Sequence, residues 1–333
     1  MKTPTLEDVA ARAGVSTATV SRCLNAPDKV VEQTRRRVLE AVEALCYAPN
    51  FSAQALAARR TRTIGAIIPT MENAIFAEGI QAFQETLQAE GYTLLIASTG
   101  YDPAVEADAI RTLAARGAEG LLLIGYDRDP SVGNFLQAQG LPVVVSWAFD
   151  EDRPTCAVGF DNCAAMRALV THALDLGHSN VVMISARTTG NDRARARRDG
   201  VLEALSSRGL APLEIIETDY GVAKGEAAFD ALVEAHPNAT LILCGNDVLA
   251  AGAIRAAERR GIRVPQDVSI TGFDDIGLAS LVRPNLTTVR VPHRAMGQAA
   301  AAAILSLVED APTDSTVLPT ELCLRDSLAA PRR

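Results

Sequence analysis

The chain has 333 residues, of which 48% are hydrophobic, and it carries a formal net charge of −8. This length leaves room for two or three domains with substantial cores. The sequence shows no apolar signal segment and no apolar run of membrane-spanning length, and its six cysteines show neither a Cys-x-x-Cys pair nor metal-ligand spacing. We therefore expect a cytoplasmic protein with free thiols, with no metal or other cofactor and no membrane partner.

The charge is distributed unevenly along the chain. Residues 1–62 contain ten Lys and Arg against six Asp and Glu, a balance of about +4, whereas the remainder contains 22 against 34, or −12. A basic head on an acidic body is typical of a phosphate-binding module attached to a soluble body. Because the body would be repelled by DNA, the pattern predicts that only the head binds it.

The first predicted elements are two short helices joined by a tight turn. Apolar residues recur at helical spacing over residues 6–13. Thr5 is placed as the N-cap of this helix, with Asp8 in the position of a capping box. Gly14 then supplies the backbone freedom that a tight turn needs, and Ser16 is placed to cap the second helix.

On the second helix Val20 and Leu24 face inward, which leaves an outer face that is small except for Arg22. Such a helix fits a DNA major groove, where an arginine can reach guanine O6 and N7. The pattern therefore predicts a helix-turn-helix, although helix pairs of this kind also occur in ordinary bundles. The candidate DNA-contacting residues of the head are Thr5, Ser16, Thr17, Ala18, Thr19, Ser21, Arg22 and Asn25.

A third amphipathic helix is predicted over residues 32–47, with Val38, Leu39, Val42 and Leu45 facing inward. It closes a head domain at residues 1–49. Residues 50–61 form a linker whose helix-favouring segment is too short to be stable alone in water. We interpret this segment either as an ordinary connection between domains or as a hinge helix that forms only when the protein binds DNA.

From Thr63 the chain alternates short apolar strands with helices, first over residues 64–146 and again over residues 162–271. This alternation predicts an α/β body of doubly wound parallel sheets in two lobes. Ligands of such sheets bind beyond the carboxyl ends of the strands. The cleft between the lobes is therefore the predicted ligand site.

Several polar side chains follow strands and are placed near this cleft. Asp161, Asn246 and the pair Asp274–Asp275 each come after a strand, and Arg197 lies on a helix that begins near the cleft mouth. Such groups hydrogen-bond hydroxyls and carboxylates of ligands. Asp161 and Asn246 could equally be helix N-caps, one Asp of the pair could be structural, and Arg197 could be a solvated helix residue.

The run from Thr5 to Asn25, the corner Tyr47-Ala48-Pro49-Asn50 and the segment Gln54-Ala55-Leu56-Ala57 together resemble the lactose-repressor (LacI/GalR) family of bacterial transcription regulators. The resemblance continues almost to the C-terminus. It implies a repressor that binds palindromic double-stranded DNA as a homodimer, under control of a small sugar-like or sugar-acid effector. The absence of a leucine-repeat tail favours a dimer.

The resemblance also implies roles for the linker and for the lobes. Asn50 joins the candidate DNA contacts, and Leu56 matches a leucine that wedges a base step in the minor groove. The effector-binding body takes residues 62–330. Its N-lobe is expected at 62–160 plus about 291–321, and its C-lobe at 161–289 plus about 322–330.

By the same resemblance, Arg197, Asn246 and Asp274 bind the effector, and the loop after Pro69 lines the pocket. Val291 is apolar where the family often offers a polar or aromatic group, so His293 could substitute for it or cap the final helix. Short stretches resemble the gluconate-repressor branch, which favours a sugar acid weakly. The candidate effector-binding residues are Asn73, Ile75, Phe76, Phe160, Asp161, Arg197, Asn246, Asp274 and His293.

Two other protein classes fit less well. A stand-alone sugar-binding protein of the periplasmic type would share the two-lobed body but not the basic head. An enzyme is disfavoured because the sequence has no phosphate-binding, dinucleotide-binding or nucleophile-elbow motif, and adjacent Asp residues on a strand point apart. A corepressed regulator that senses a non-sugar metabolite shares all the motifs and stays open.

Overall fold

The computed structural model describes residues 3–25, 27–48, 60–72 and 74–332. Of residues 25 and 27 it describes the backbone only. The chain divides at residues 61 and 62 into two compact units, a head and a body.

The head consists of α1 (Leu6–Ala13), α2 (Thr17–Asn25), a short 3-10 helix (Pro27–Lys29) and α3 (Glu32–Ala44). The predicted capping box is present, because Thr5 Oγ1 accepts from Asp8 N at 3.3 Å and Asp8 Oδ2 accepts from Thr5 N at 2.8 Å. Gly14 ends α1 in the left-handed region at φ 65°. The first turn of α2 is capped by Ser16 Oγ, which accepts from Thr19 N at 3.2 Å.

The core of the head is formed by Val9, Val20 and Val38, one from each helix, all fully buried. The predicted inward position of Leu39 is wrong, since 44% of this side chain is exposed. The buried positions on α3 are Val38 and Ala41, which lie three residues apart on one helical face, and Leu39 lies beside that face.

One lobe of the body, the N-lobe, is built on a six-stranded parallel sheet in the order β11-β5-β4-β3-β1-β2. In its centre Ile67 of β1 lies in register with Ala97 and Leu123 on the two neighbouring strands. The strands are β1 (Thr63–Ile68), β2 (Thr93–Ser98), β3 (Gly120–Ile124), β4 (Val143–Ser146), β5 (Ala157–Gly159) and β11 (Thr316–Val317). The helices are α4 (Ala74–Ala89), α5 (Pro103–Ala115), α6 (Pro130–Gln139) and α11 (His293–Val308).

The other lobe, the C-lobe, is built on a four-stranded parallel sheet in the order β7-β6-β8-β9. Its two central strands are almost continuous apolar runs, as expected for a sheet covered on both faces. The strands are β6 (Val181–Ala186), β7 (Glu214–Thr218), β8 (Leu241–Cys244) and β9 (Ser269–Thr271). The helices are α7 (Asn162–Asp175), α8 (Asp192–Ser206), α9 (Val222–Ala235) and α10 (Asp247–Arg259).

The last part of the chain contributes to both lobes. Strand β10 (Thr288–Arg290) pairs antiparallel with β12 (Glu321–Cys323). Between them α11 packs so closely on α4 that a Cβ on Gly297 would lie 2.0 Å from the Gly79 carbonyl oxygen. After β12 the chain reaches β9 of the C-lobe, where Ser327 Oγ donates to the Ile270 carbonyl at 2.6 Å.

Candidate functional site

The outer face of α2 is the candidate nucleic-acid surface of the head. Thr17, Ala18 and Arg22 are exposed there, whereas Thr19 and Ser21 are half-buried. Ser16 caps the helix, and its hydroxyl shares a hydrogen bond of 2.9 Å with Thr19 Oγ1. Both hydroxyls therefore already have hydrogen-bond partners within the first turn of α2. Of the other candidates, Thr5 caps α1, while Asn50, Leu56 and the side chain of Asn25 lie outside the described residues.

In the body, Arg197 is only 2% exposed and lies where the two lobes meet, because Asn162 links it to Trp147 of the N-lobe. The buried residues gathered here, all of which carry polar side-chain atoms, are called the cleft floor: Arg197, Asn246, Asp274, Trp147 and His293. Its Nε donates to Asn162 Oδ1 at 2.9 Å and its Nη1 donates to the Gly245 carbonyl at 2.7 Å. The guanidinium carbon lies 4.1 Å from the centre of the Phe273 ring, a cation–π contact. Arg197 is therefore not a solvated helix residue.

Asp274 faces Arg197 but is not hydrogen-bonded to it. The closest approach, from Arg197 Nη2 to Asp274 Oδ1, is 3.6 Å. Neither carboxylate oxygen has a hydrogen-bond partner among the described residues, and the side chain is fully buried. Burial raises the pKa of Asp274 to about 6. Its backbone has φ 107°, a strained conformation for a non-glycine residue of the kind found at ligand sites.

The neighbouring carboxylate has a structural role. Asp275 accepts from Arg325 Nη2 at 2.6 Å and from Arg290 Nε at 2.8 Å. These bonds tie the end of β9 to β10 and to the C-terminal segment. Of the two predicted alternatives for this pair, Asp275 is the structural residue and Asp274 the one that faces the cleft floor.

Asn246 and Asp161 are both N-caps, but only Asn246 is buried at the floor. Asn246 Oδ1 accepts from Leu249 N at 2.9 Å to begin α10, and its Nδ2 has no partner among the described residues. Asp161 accepts from Ala164 N at 2.9 Å to begin α7 and is exposed. Asn246 can therefore cap a helix and still donate to a ligand.

The N-lobe contributes His293 and Trp147 to the same floor. His293 is the first residue of α11 and its side chain does not cap that helix, since the cap position is Pro292. Trp147 Nε1 lacks a hydrogen-bond partner among the described residues, and the His293 ring lies against the Asp274 backbone. The two rings are stacked with centroids 6.4 Å apart. Burial lowers the pKa of His293 to about 4, so the ring is neutral near pH 7.

The predicted apolar residues surround this floor. Phe76 meets Trp147 edge to face at 5.4 Å, and Phe160 stacks on Phe273 at 6.1 Å. Ile75 is buried at the start of α4. Asn73 lies outside the described residues.

The sequence interpretation missed two residues, one in the floor and one beside it. Trp147 is the single tryptophan and directly follows β4, the same strand-end position that identified the other candidates. Asn162 is buried and connects the lobes, because its Nδ2 donates to the Trp147 carbonyl at 3.0 Å while its Oδ1 accepts from Arg197. Position relative to the strand could have identified Trp147. The bridging role of Asn162 requires the three-dimensional structure.

A cleft of about 480 Å³ lies between the lobes, and the buried residues of the cleft floor do not form part of its lining. Tyr101 of the N-lobe and Tyr220 of the C-lobe meet across it with ring centroids 5.7 Å apart. The lining includes Thr70, Glu72, Arg187, Thr189, Asn191 and Val248. In the described part of the chain, no helix is long and apolar enough to cross a membrane, and no group of three or more His, Cys, Asp or Glu residues is arranged to hold a metal ion.

Comparison with known proteins assigns the family. Residues 5–50 match the bacterial regulatory proteins of the lacI family, and residues 170–328 match the periplasmic binding protein-like domain. The chain is 33% identical over 308 residues to the HTH-type transcriptional regulator GntR of Pseudomonas aeruginosa, covering 92% of this chain and 89% of that protein. The chain belongs to the LacI family.

Other LacI-family proteins match along most of their length. The HTH-type transcriptional repressor PurR of Photobacterium profundum is 32% identical over 331 residues, covering 97% of this chain and 98% of the relative. A LacI-family regulator from Silicibacter pomeroyi superposes with a TM-score of 0.90 at 27% identity, over 98% and 99% of the two chains. The structure of the lac repressor dimer bound to operator and the anti-inducer ONPF superposes with a TM-score of 0.87 at 27% identity. This match covers 99% of this chain and 100% of that chain. This chain is a DNA-binding transcriptional regulator.

Proposed function

We propose that this regulator is a repressor that binds a palindromic operator as a homodimer, and that a small polyhydroxylated effector in the body cleft sets its affinity for DNA. The observation that carries the effector part is the unpartnered polar floor between the lobes. Buried polar groups without hydrogen bonds are rare and costly in folded proteins. A ligand that supplies the missing partners would remove this cost.

The DNA part rests on the head. Arg22 is an exposed cation on a face otherwise lined by small residues, a shape that fits the major groove. The lac repressor structure named above is a dimer on its operator, which supports the same assembly for this chain. A two-fold symmetric dimer reads two inverted half-sites, so the operator is a palindrome.

The chemistry of the floor supports a hydroxylated effector. Asp274 offers two carboxylate oxygens as acceptors, while Trp147 Nε1 and Asn246 Nδ2 offer donors. A hydroxyl group both donates and accepts, so neighbouring hydroxyls of a sugar or sugar acid satisfy this set. Arg197 is positively charged, but its Nε and Nη1 already donate hydrogen bonds to Asn162 and Gly245. The hydroxylated end of the effector is therefore the end that meets Asp274.

The test is a fluorescence anisotropy titration of the purified protein on DNA from upstream of its own gene, at one fixed salt concentration because phosphate contacts make affinity salt-dependent. The panel contains neutral sugars, sugar acids, polyols and nucleobases. Release by a hydroxylated compound supports an inducible repressor, and tighter binding identifies a corepressed one. Binding of a nucleobase alone would contradict the effector class. Selection from random DNA that yields no preferred site would contradict sequence-specific binding.

A further inference from the structure

The first turn of α8 reaches across the cleft to the N-lobe. Asp192 Oδ2 accepts from Tyr126 N at 2.5 Å, and Arg193 Nη1 donates to the Ile124 carbonyl at 3.2 Å. Arg195 adds an ion pair with Asp127 at 2.7 Å. These cross-lobe contacts, between residues 192–195 and residues 124–127, are called the α8 latch below.

The latch depends on a close approach at Gly125. A Cβ at this position would lie 2.0 Å from Arg193 Nη1 and 2.3 Å from Asp192 Oδ1. Gly125 also has φ 70°, a conformation that favours glycine. A side chain at this position would therefore displace the ends of the Asp192 and Arg193 side chains from their present contacts.

The latch is connected to the cleft floor through α8. Arg193 and Arg197 are four residues apart and lie on one face of the helix, and both are buried. The floor has two halves, with Arg197, Asn246 and Asp274 on the C-lobe and Trp147 and His293 on the N-lobe. The separation of the halves changes when α8 moves relative to the N-lobe.

We infer that Asp192 is a positioning residue whose latch to Tyr126 N holds the lobes closed and sets the spacing of the two halves of the floor. The Asp192 carboxylate bonds to both lobes. Its Oδ2 accepts from Tyr126 N of the N-lobe, and its Oδ1 accepts from Arg193 Nη1 on α8 at 2.8 Å. The Asp192 and Arg193 side chains are 15% and 7% exposed, so the pair is shielded from solvent. This inference rests on the proposed effector site, whose geometry the latch controls.

The test measures acrylamide quenching of the single tryptophan in the purified full-length protein. Trp147 is 1% exposed at the cleft floor, so opening of the lobes gives the quencher access to it. We expect Gly125→Ala and Asp192→Ala each to raise the quenching constant roughly twofold or more, because each shifts the population toward an open state. The emission maximum should move to longer wavelength in both variants.

Matched controls separate the latch from general strain. Gly140→Ala adds a methyl at a left-handed glycine, φ 59°, with no atom among the described residues within 4 Å of the new Cβ. Asp199→Ala removes another carboxylate of α8, one bonded to Arg198 on the same helix. Both controls should quench like the unmodified protein.

The inference is overturned if Asp192→Ala quenches like the unmodified protein, or if the controls rise as much as the latch variants. Should Gly125→Ala fail to fold by circular dichroism, Asp127→Ala replaces it as the second latch variant, and the same two outcomes decide. The measurement needs neither DNA nor effector. A failed operator titration would therefore count against the proposed function and leave the latch result standing.

Discussion

Asp274 and Asp275 are adjacent carboxylates whose surroundings move their pKa values in opposite directions. Burial raises the pKa of Asp274 to about 6. Burial also acts to raise the pKa of Asp275, but hydrogen bonds from Arg325 and Arg290 hold it below its usual value. An Asp with a raised pKa stabilises the fold most at low pH, and this contribution is lost as pH rises from about 4 to about 6. Asp275, which is paired with Arg290 and Arg325, stabilises the fold at neutral pH. This stabilisation is lost as the pH falls and Asp275 is protonated.

Asp274→Asn should therefore raise the free energy of unfolding near pH 7.5 by on the order of 1–3 kcal/mol, with the difference shrinking toward pH 4. Asp275→Asn should lower the free energy of unfolding near pH 7.5 by a similar amount, because it removes the negative charge that Arg290 and Arg325 share. Urea unfolding of both variants at several pH values measures this. Destabilisation of both variants at neutral pH would contradict the assignment of Asp274 as a strained ligand group.

Arg22→Ala should reduce discrimination between operator and unrelated DNA by about 1–3 kcal/mol, since the bidentate contact to guanine that we propose for Arg22 would be lost. Anisotropy on operator and on scrambled DNA measures the ratio. The matched control is Arg36→Ala, which removes another exposed cation of the head, one paired with Glu40 on α3. Equal loss of affinity for both DNAs in Arg22→Ala would show that Arg22 contacts phosphate only.

The starts of the helices in the head could be predicted because a helix cap bonds to residues close to it in the sequence. Thr5, Asp8, Gly14 and Ser16 each act on a residue within four positions, so the sequence alone contains their partners. Leu39 was misplaced because an adjacent apolar pair leaves the helical face ambiguous by one residue. The alternation of strands and helices in the body was found for a related reason, since buried parallel strands read as short apolar runs.

The contacts that join distant segments were not predictable in this way. The bridge from Asn162 to Trp147 and Arg197, and the close approach of Gly125 to α8, connect residues that lie far apart in the sequence. No local pattern encodes such partners. The expected return of the chain between lobes came from resemblance to a family, not from periodicity.

The cap of α1 gives a prediction for a whole element. Thr5→Ala should destabilise α1 by about 1 kcal/mol, because Asp8 N loses its acceptor. Thr5→Ser keeps the hydroxyl and should restore most of this stability. Hydrogen exchange of peptides covering residues 5–25 measures the effect, with body peptides as an internal reference. Unchanged exchange in Thr5→Ala would contradict a stabilising role for the capping box.

The opposite charges of head and body bear on DNA binding. The head carries about +4 and the remainder −12. Affinity for non-specific DNA should fall steeply with salt, because cations of the head displace counterions from phosphates. A fragment of residues 62–333 should show no DNA affinity at any salt concentration tested. Measurable binding by this fragment would place part of the DNA surface on the body.

The proposed homodimer is tested without DNA. Sedimentation equilibrium at micromolar concentration should give a mass about twice the 35.2 kDa of one chain. A monomer at this concentration would require operator binding to assemble the dimer. The ratio of bound to free DNA would then rise with the square of the monomer concentration.

The return of the chain through both lobes has a consequence for biosynthesis. The N-lobe lacks α11 and β11, and the C-lobe lacks the segment hydrogen-bonded to β9, until the ribosome has made residues 293–329. The three α-helices described in the head, by contrast, end at residue 44 and can form early. A product truncated before α11 would therefore have a folded DNA-binding head attached to two unfinished lobes, both exposing apolar surface to chaperones and proteases. Both lobes therefore stay open to chaperones and proteases until residues 293–329 have been made.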